Sequence, residues 1–565
     1  MIQHWGRIRL HLGCLFLGLA VPTVLPWRAS PQAVFFAEWS VALLLLSAFA
    51  LSGPFVRGVR PGWWVAPLAC AAAVFSDPGA FSWFAYLALG ALAVTLASEL
   101  DADGVAVVAA GLLIGGLGQS LVGLLQLLGL ELGGLITPLT RKAVYGNIGQ
   151  ANHFCDLIWL GLSAAVYLRV CRRLSIAAFL PVVTFLSLGS AASASRGAWL
   201  YIGAFAVIAG IVGVQRPRND RPLVFALTIV VLVSVLAQLA SALGMFDTFG
   251  LVSAASRVGE SGSNGQRLHD WTVAWQAIKE SPWRGHGFGS FYRLSVEAAI
   301  HGSEKPFPML AEHAHNLPLH LAAEVGLPAV VLFLGAFLIW GAGLLRMPVS
   351  NERAFGLCGL SVIGFHSLVE YPLWYAYFIV PAGLLIGIAD QGRPGPRWRL
   401  SSWPHFALAL TSLVCLTLVM RDWLIVHDAL RPWSDQARAL PEAERAAVRA
   451  RLAVIPRWSL FAGQASIERM QTGTPQAASR ADVVAECDAH WKVRPDWTVM
   501  IGCANAYAAH GDVDALNDVV RVLCRGFPGY RSLLRQTVEG MPRGPGLGVA
   551  GRECLPAIAP GPQVR

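Results

Sequence analysis

The stretch VAVVAAGLLIGGLGQSLVGLLQLLG, residues 105–129, decides the fold of this chain. It contains no charged residue, and it is longer than the roughly 20 apolar residues that an α-helix needs to cross a bilayer. Inside lipid, every backbone amide must find its partner within the segment, which leaves the helix as the structure for a single apolar span. Residues 105–129 therefore predict a transmembrane α-helix.

The same character recurs along the 565-residue chain, of which 55% is hydrophobic and only 14% is charged. Soluble domains carry roughly 25% charged residues, so much of this chain belongs in lipid. The sequence predicts an all-α polytopic membrane protein with about 12–13 transmembrane helices. The predicted spans lie near residues 10–27, 33–52, 62–77, 79–99, 105–129, 150–171, 175–192, 197–214, 221–244, 320–345, 354–371, 373–390 and 404–426.

The orientation follows from the arginines between the spans. Cytoplasmic loops of membrane proteins are enriched in Lys and Arg. With the N-terminus inside, every interhelical arginine cluster lies in the cytoplasm; the clusters are Arg57 and Arg60, Arg169 to Arg173, Arg216 to Arg221, Arg346 and Arg353, and Arg393 to Arg399. The net charge of +9 therefore fits a multi-pass inner-membrane protein. Basic residues interleaved with aromatics, typical of nucleic-acid binding, do not occur.

The N-terminal segment has a second interpretation, because Arg7 and Arg9 precede its apolar run as in a signal peptide. No small-x-small cleavage site follows, and further spans come directly after it. We therefore expect the first membrane helix there.

Three segments are predicted to face outward: about 130–149, about 245–319, and everything after about 427. The chain is thus expected to consist of a membrane domain, residues 1–426, and a periplasmic helical domain, residues 427–565. Apolar spacing in Glu442 to Leu460 and Trp497 to Leu523 indicates amphipathic helices in this tail.

Four cysteines lie in the tail: Cys487, Cys503, Cys524 and Cys554. An even number in an oxidising compartment predicts one or two disulfides, with the pairing open. The alternative is four unrelated thiols.

Polar residues collect at the outer ends of the spans, where they are costly and commonly functional. Tyr145 to His153 reads Tyr-Gly-Asn-Ile-Gly-Gln-Ala-Asn-His. If this string is helical, Asn147, Gln150 and His153 share one face and form a polar platform for sugar or phosphate. The alternative is a helix cap at Asn147 with hydrogen bonds between helices.

Three outward arginines are candidate phosphate ligands, because a planar guanidinium donates paired hydrogen bonds to phosphate oxygens. Arg196 opens a span beside Gly197, while Arg267 and Arg284 lie in the long loop. Arg196 snorkelling to lipid headgroups, or Arg267 and Arg284 as ordinary solvated side chains, are the alternatives.

The long loop ends in Glu312-His313-Ala314-His315-Asn316. A neutral imidazole can take a proton from a hydroxyl near neutral pH, so a general base is the preferred interpretation. A metal site is weakly supported because HExxH is absent, and a purely structural histidine remains an alternative. Glu370 and Tyr371 mark a further outward turn, where Glu370 is placed to orient the base or bind an arginine.

These motifs resemble those of the bacterial O-linked protein oligosaccharyltransferases, the pilin-glycosylating branch of the O-antigen ligase and polymerase superfamily. The resemblance runs from about Tyr145 to Tyr377, and the string at 146–153 is its most branch-specific piece. The superfamily's ligase signature is His-Asn, nine residues, then Gly-x-x-small. His315, Asn316 and Gly326 match it, and Ala329 closes it where Gly, Thr or Tyr is more usual.

The resemblance implies a GT-C-like enzyme that transfers oligosaccharide from undecaprenyl pyrophosphate to a Ser or Thr hydroxyl of a periplasmic or pilin protein, with no metal and no cofactor. His315 would be the catalytic base, and Arg196 and Arg267 would bind the pyrophosphate, with Arg284 as a further candidate. The other expected substrate-binding residues are Asn147, Gln150, His153, His313, Asn316, Glu370 and Tyr371.

Three other functions compete. An O-antigen ligase would use a lipid A core sugar as acceptor, and a glycan polymerase would use another lipid-linked chain. A transporter is less favoured, because transporters place charge near the membrane midplane, whereas spans such as 105–129 and 221–244 are nearly free of charge.

Overall fold

The structure, a computed structural model, describes residues 2–52, 60–77, 79–215, 221–259, 261–301, 310–398, 401–436, 441–456, 458–472 and 479–527. Its regular elements in these ranges are helices, so the all-α polytopic fold is confirmed. The α-helices are α1 Ile2–Ala20, α2 Phe35–Ser52, α3 Val65–Ala73, α4 Ala80–Glu99, α5 Ala102–Leu127, α6 Ala151–Val170, α7 Ile176–Ala192, α8 Gly197–Gln215, α9 Arg221–Ala242, α10 Ser261–Glu280, α11 Phe291–His301, α12 Leu317–Val325, α13 Leu327–Leu345, α14 Asn351–Ser367, α15 Ala376–Ala389, α16 Ser402–Gln436, α17 Glu442–Leu452, α18 Ala462–Gln471, α19 Arg480–Val493, α20 Trp497–Ala509 and α21 Val513–Gly526.

Eight helices within the described ranges are long and apolar enough to cross a membrane: α2, α4, α5, α6, α8, α9, α13 and the Ser402–Leu430 part of α16. Shorter apolar helices occur at Leu10–Ala20, Ile176–Ala192 and Ala376–Ala389. Each predicted span coincides with a helix, but not every one of these helices has the length of a full crossing.

The helix in the predicted span at 62–77 is too short for a full membrane crossing. It contains a 3₁₀ turn at Pro61–Trp64 and then α3, which has 9 residues. At 1.5 Å per residue, such a helix is about 14 Å long and falls short of the roughly 30 Å hydrocarbon core. Pro61 and Gly62 at the start of this segment keep the first residues out of the α-helix.

The predicted span at 320–345 is in fact two helices. Gly326 has φ of 85° and separates α12 from α13. That left-handed conformation is one that glycine adopts without a steric penalty. The membrane-crossing part is therefore α13, Leu327–Leu345, and α12 precedes it.

The chain folds into two compact units. The first comprises Met1–Ala72, Trp83–Ser263 and Leu332–Leu418. Its core is built from residues of α1, α2, α4 to α9, α14 and α15. Within it, α5 and α6 approach closely because both present glycine: a side chain at Gly116 would lie 3.1 Å from the carbonyl oxygen of Leu157. Small residues at such contacts let membrane helices pack backbone to backbone. Asp101 caps α5 by accepting a hydrogen bond from the backbone N–H of Gly104.

The second unit comprises Ala73–Ser82, Asn264–Val331 and Val419–Arg565. The segment that the sequence presents as a long loop contains α10 and α11, because α10 has a buried face of Val273, Ala274, Ala277 and Ile278. Val296 and Ile300 of α11 lie in one hydrophobic core with residues of α18 to α21.

The expectation of at least one disulfide in the tail is met by Cys487–Cys503, which links α19 to α20. Cys524 is buried in the same core, and Cys554 lies outside the described residues.

Candidate active site

The residues that the sequence singled out fall into two sets, one in each unit. Asn147, Gln150, His153, Arg196, Glu370 and Tyr371 belong to the first unit; Arg267, Arg284, His313, His315 and Asn316 belong to the second.

In the first unit, residues 145–149 form a turn and not a helix. Gly146 and Gly149 have φ of 57° and 77°, and α6 begins only at Ala151, with Gln150 as its N-cap. The expectation that Asn147, Gln150 and His153 share a helical face is therefore wrong. Two left-handed glycines within four residues cannot continue a right-handed helix.

Asn147 is buried, and its side-chain amide is fully satisfied inside the unit. Its oxygen accepts hydrogen bonds from the N–H of Thr137 at 2.9 Å and the hydroxyl of Thr137 at 3.1 Å. Its nitrogen donates to the carbonyls of Val24 at 2.8 Å and Leu135 at 2.9 Å. All four hydrogen-bonding positions of the amide are used, so Asn147 fixes the turn.

Arg28 is a residue that the sequence analysis missed. Its guanidinium donates to the carbonyl of Ile148 at 3.0 Å, and it occupies the space where a side chain at Gly149 would lie. The side-chain oxygen of Gln150 is buried without a hydrogen-bond partner in the described part of the chain. The exposed Arg28 guanidinium, held at Ile148 and Gly149, lies beside the N-terminus of α6.

Asn152 connects two of the predicted residues. Its side-chain oxygen accepts a hydrogen bond from the hydroxyl of Ser195 at 2.9 Å, and its nitrogen donates to Glu370 at 3.3 Å. Ser195 directly precedes Arg196, so Asn152 positions the arginine turn and the Glu370 carboxylate together. Asn152 lies in the quoted string, but its partners are distant in sequence and no local pattern reveals them.

Arg196 is half-buried in the turn between α7 and α8, two residues after Ala194, which has φ of 50°. Arg257 donates to the carbonyl of Ala194 at 3.3 Å, so a second guanidinium holds this turn. Gly197 leaves room for Tyr201, because a side chain there would lie 2.8 Å from the Tyr201 hydroxyl.

His153 lies in the first turn of α6 and is buried among aromatic rings. Its Nδ1 is 3.0 Å from the hydroxyl of Tyr377, and its ring centroid is 4.7 Å from that of Tyr375. Tyr375 in turn stacks on Tyr371, with centroids 6.0 Å apart. His153 and Tyr371 therefore belong to one aromatic cluster.

A further buried group lies one turn along α6. Asp156 accepts a hydrogen bond from the hydroxyl of Tyr201 at 2.6 Å and contacts Nδ1 of His366. All three side chains are buried. Asp156 and His366 are not predicted as site residues from the sequence, because each lies inside a predicted span.

In the second unit, His315 is paired with Asp270. Nδ1 of His315 is 2.9 Å from a carboxylate oxygen of Asp270, which is 0% exposed, while the His315 side chain is 21% exposed. His315 has φ of 50°, a conformation uncommon for a residue with a side chain. The sequence alone does not predict a role for Asp270.

This contact fixes the chemistry of the histidine. An ionised carboxylate only accepts hydrogen bonds, so Nδ1 of His315 carries the hydrogen and Nε2 is left with its lone pair. The second carboxylate oxygen of Asp270 accepts from Gln266 at 2.9 Å. His315 is therefore a partly exposed imidazole whose Nδ1 is held by Asp270. Its basic nitrogen, Nε2, lies on the side of the ring away from the carboxylate.

The two loop arginines differ in their surroundings. Arg267 lies on α10 next to Gln266 and is half-buried. Arg284 is exposed in the turn from Pro282 to Gly289, which follows α10. That turn is fixed by its backbone: Leu327 donates to the carbonyl of Pro282 at 2.8 Å.

Histidines near His315 remain neutral. Burial, together with the smaller effect of nearby His315, lowers the pKa of His320 to about 3. Burial, followed by the proximity of His320 and His315, lowers the pKa of His313 well below its usual value. The rings of His313 and His320 have centroids 5.0 Å apart.

Asn316 is the N-cap of α12. Its side-chain oxygen accepts from the backbone N–H of Leu319 at 3.1 Å. This cap begins the helix immediately after His315 and so fixes the backbone at the histidine.

No group of three or more His, Cys, Asp or Glu side chains within the described ranges is arranged to hold a metal ion. His313 and His315 therefore do not form part of such a cluster.

Three family models match parts of this chain. Residues 160–334 match the model described as O-antigen ligase, and residues 355–540 match a virulence factor membrane-bound polymerase, C-terminal. Residues 144–168, which contain the string at the start of α6, match a protein glycosylation ligase. No one of these models covers half of the chain.

Two curated relatives come from Acinetobacter baylyi. The first, a general O-oligosaccharyltransferase, is 25% identical over 327 residues, which is 56% of this chain and 56% of that protein. The second, a ComP-specific O-oligosaccharyltransferase, is 26% identical over 250 residues, or 43% of each chain. The chain thus spans about half the length of the curated relatives that it matches.

The matches agree with the resemblance expected from the sequence: this chain is similar to the bacterial O-linked protein oligosaccharyltransferases of the O-antigen ligase and polymerase superfamily.

Proposed function

We propose that this protein transfers an oligosaccharide from undecaprenyl pyrophosphate to Ser or Thr hydroxyls of periplasmic or pilin proteins. It does so in the bacterial inner membrane, with its N-terminus in the cytoplasm and with the active face and tail in the periplasm. The observation that carries the proposal is the pair formed by His315 and Asp270, a half-exposed imidazole oriented by a buried carboxylate.

The reaction needs one proton acceptor. Nε2 of His315 removes the proton from the acceptor hydroxyl as its oxygen bonds to the anomeric carbon of the donor sugar. The bond between that carbon and the phosphate oxygen breaks, and undecaprenyl pyrophosphate leaves with the electron pair. A positioned general base contributes about 10²–10⁴-fold to such a step. A single displacement inverts the anomeric configuration, and recovery of product with retained configuration would refute it.

Arginines stabilise the leaving group in this proposal. Arg267 lies on α10, the helix that also carries Asp270. Guanidinium groups that bind the pyrophosphate offset the charge that it gains as the glycosidic bond breaks. Arg196 and Arg284 have the same proposed role, Arg196 on the family resemblance, with no metal or cofactor involved.

Gln150, His153, Glu370 and Tyr371 are proposed to contact the substrate in the first unit. The Asn147 amide is fully used in fixing a turn, so Asn147 is not proposed as a ligand. Asn316, whose side-chain oxygen caps α12, remains a proposed substrate-binding residue. His313 is proposed to line the surroundings of His315.

The oligosaccharyltransferase relatives, one of them ComP-specific, and the match of residues 144–168 to a protein glycosylation ligase favour a protein acceptor. The O-antigen ligase and polymerase matches favour a second candidate, with a lipid A core sugar or a lipid-linked glycan as acceptor.

The test is a transfer assay in cells that lack other O-glycosylation and that contain a lipid-linked glycan and a candidate pilin. Glycan on the pilin, identified by mass spectrometry, is the expected result. Glycan on the lipid A core with an unmodified pilin would establish the ligase instead, and longer lipid-linked chains would establish the polymerase.

A further inference from the structure

The helix α10 has two faces, and the candidate active site uses only one. Asp270, Val273 and Ala277 are buried on the inner face. The outer face carries Leu268, Thr272, Trp275 and Lys279, which are spaced three or four residues apart and are all exposed. Leu268 is 61% exposed and Trp275 is 56% exposed. The helix α10 therefore exposes large apolar side chains on one face and carries Asp270, the partner of His315, on the other.

The turn that follows α10 continues this surface. Trp283 is 76% exposed, and Arg284 beside it is exposed as well. The combined surface contains three large apolar groups, Leu268, Trp275 and Trp283, together with the cations Lys279 and Arg284. Glu280, next to Lys279 in sequence, accepts a hydrogen bond from Gln276 at 2.8 Å. We call these five apolar and cationic residues the α10 outer face.

The turn is attached to the beginning of a membrane span. The backbone N–H of Leu327, the first residue of α13, donates to the carbonyl of Pro282 at 2.8 Å. A side chain at Gly326 would lie 2.5 Å from the carbonyl oxygen of Trp283, so the two backbones are in direct contact.

Because of this attachment, the depth of Trp283 in the membrane is set by α13. Leu327 and Val331, in the first turn of α13, are exposed as a lipid-facing helix requires. A residue held against the first turn of a transmembrane helix lies at the boundary between hydrocarbon and headgroups. Tryptophan concentrates at that boundary, since its ring is apolar and its N–H is polar.

We propose that the α10 outer face docks into the bilayer interface, with Leu268, Trp275 and Trp283 in the acyl–headgroup boundary and Lys279 on anionic lipid phosphates; Arg284, at the same boundary, keeps its proposed role at the donor pyrophosphate. A helix with Trp and Leu on an exposed face next to basic residues is typical of segments that lie in the plane of a membrane. The partner is the lipid surface into which α13 is inserted.

The docking has a structural consequence for the candidate site. Asp270 lies on the inner face of the same helix and holds His315. A docked α10 therefore keeps the Asp270–His315 pair at a fixed height above the membrane. The docking itself does not depend on the proposed reaction and is tested without it.

The experiment measures where nitroxide labels lie. Trp275→Cys, Trp283→Cys and Thr272→Cys are labelled in the full-length protein, in a parent in which the exposed Cys415 is Ser. Thr272→Cys keeps both tryptophans and so reports on the face even if a tryptophan substitution harms folding. Asp518→Cys, on the exposed side of α21, is the control. The protein is placed in nanodiscs of phosphatidylethanolamine and phosphatidylglycerol.

Accessibility to oxygen, which concentrates in lipid, is compared with accessibility to a water-soluble nickel chelate. We expect a severalfold higher oxygen-to-chelate ratio at 272, 275 and 283 than at 518. Chelate accessibility at the three face positions equal to that at 518 would overturn the proposal. Exclusion of both reagents would also overturn it, because a protein surface would then cover the face.

Discussion

At the scale of single residues, the backbone at two positions bears on the candidate site. Among described residues other than glycine, positive φ occurs at Leu132, Arg172, Ala194 and His315. Ala194 precedes the Arg196 turn, and His315 is the proposed base. Such conformations cost of order 1–3 kcal/mol each and persist where surrounding contacts enforce them. At His315 those contacts are the Asp270 carboxylate and the cap formed by Asn316.

The role of Asp270 is tested by Asp270→Asn. An amide can turn its NH₂ toward Nδ1, which moves the imidazole hydrogen to Nε2 and removes the basic lone pair. We expect the transfer rate to fall by roughly tenfold or more at unchanged protein abundance. Asp518→Asn, an equivalent change on the surface of α21, serves as the control. A wild-type rate in Asp270→Asn would show that the carboxylate does not orient the base.

Glu324 gives a prediction about pH. Burial raises its pKa to about 8, although the N–H groups of Gly289 and Phe291 donate to it at 2.8 and 3.1 Å. The folded protein thus keeps a proton that the unfolded chain loses above its ordinary pKa of 4.5. Stability should fall as pH rises from the unfolded to the folded pKa, and then level off.

Glu324→Gln removes this titration while keeping an oxygen for the backbone donors. We expect the loss of melting temperature between about pH 5 and about pH 8, measured in detergent, to be smaller in the variant than in wild type. Equal losses in the two proteins would mean that Glu324 is ionised in the folded state.

Residue types explain why some of the site was predictable. Arg196 is conspicuous because it lies at an outer span end, against the positive-inside bias, and His315 because it stands in the His-Ala-His-Asn string before a predicted span. Asp270 was not assigned, since its partner is 45 residues away and the contact depends on the packing of α10. Asn147 was assigned a ligand role because its sequence pattern does not show that Val24, Leu135 and Thr137 use its whole amide.

At the scale of elements, the turn after α10 is locked by glycine. Gly285 has φ of 66°, and a side chain there would overlap the carbonyl of Glu324. The turn from Pro282 to Gly289, which carries Arg284, thus also anchors α10 to α12.

Gly285→Ala should therefore lower the melting temperature and reduce protein yield. Gly289→Ala is the matched control: Gly289 has φ of 72°, but nothing lies within 4 Å of the added carbon. The control should cost only the backbone penalty of about 1–2 kcal/mol. Equal effects of the two substitutions would show that conformation, and not the close contact with Glu324, accounts for the loss.

Apolar length predicted most helices, because a run such as residues 105–129 has no soluble alternative. The same criterion failed where polar residues interrupt a helix. The sequence presented α10 as loop, since its residues 264–272 include Arg267, His269 and Asp270 among the apolar ones. It also joined α12 to α13, because a glycine in an apolar run does not by itself reveal a positive φ.

At the scale of the whole molecule, the tail belongs to the same compact unit as the segment that carries His315. Arg494 pairs with Glu312, and the Arg494 guanidinium lies 4.8 Å from the ring centroid of Tyr292. The tail therefore belongs to the same compact unit as the proposed base, and its stability bears on the site.

The disulfide Cys487–Cys503 tests the integrity and the compartment of this unit. A bond closing a loop of this size contributes about 3 kcal/mol. We expect both cysteines, in protein denatured directly from cells, to react with maleimide only after reduction. The double variant Cys487→Ser/Cys503→Ser should lose that dependence on reductant and unfold at a lower temperature. Full labelling without reductant would contradict an oxidised, periplasmic tail.

The most direct test of the central claim compares His315→Ala with His510→Ala, the same substitution at an exposed helix end in the tail. Oligosaccharide transfer to pilin is measured at matched membrane abundance. We expect a loss of about 10²–10⁴-fold in His315→Ala and wild-type transfer in His510→Ala. Full activity in His315→Ala would contradict the assignment of His315 as the base.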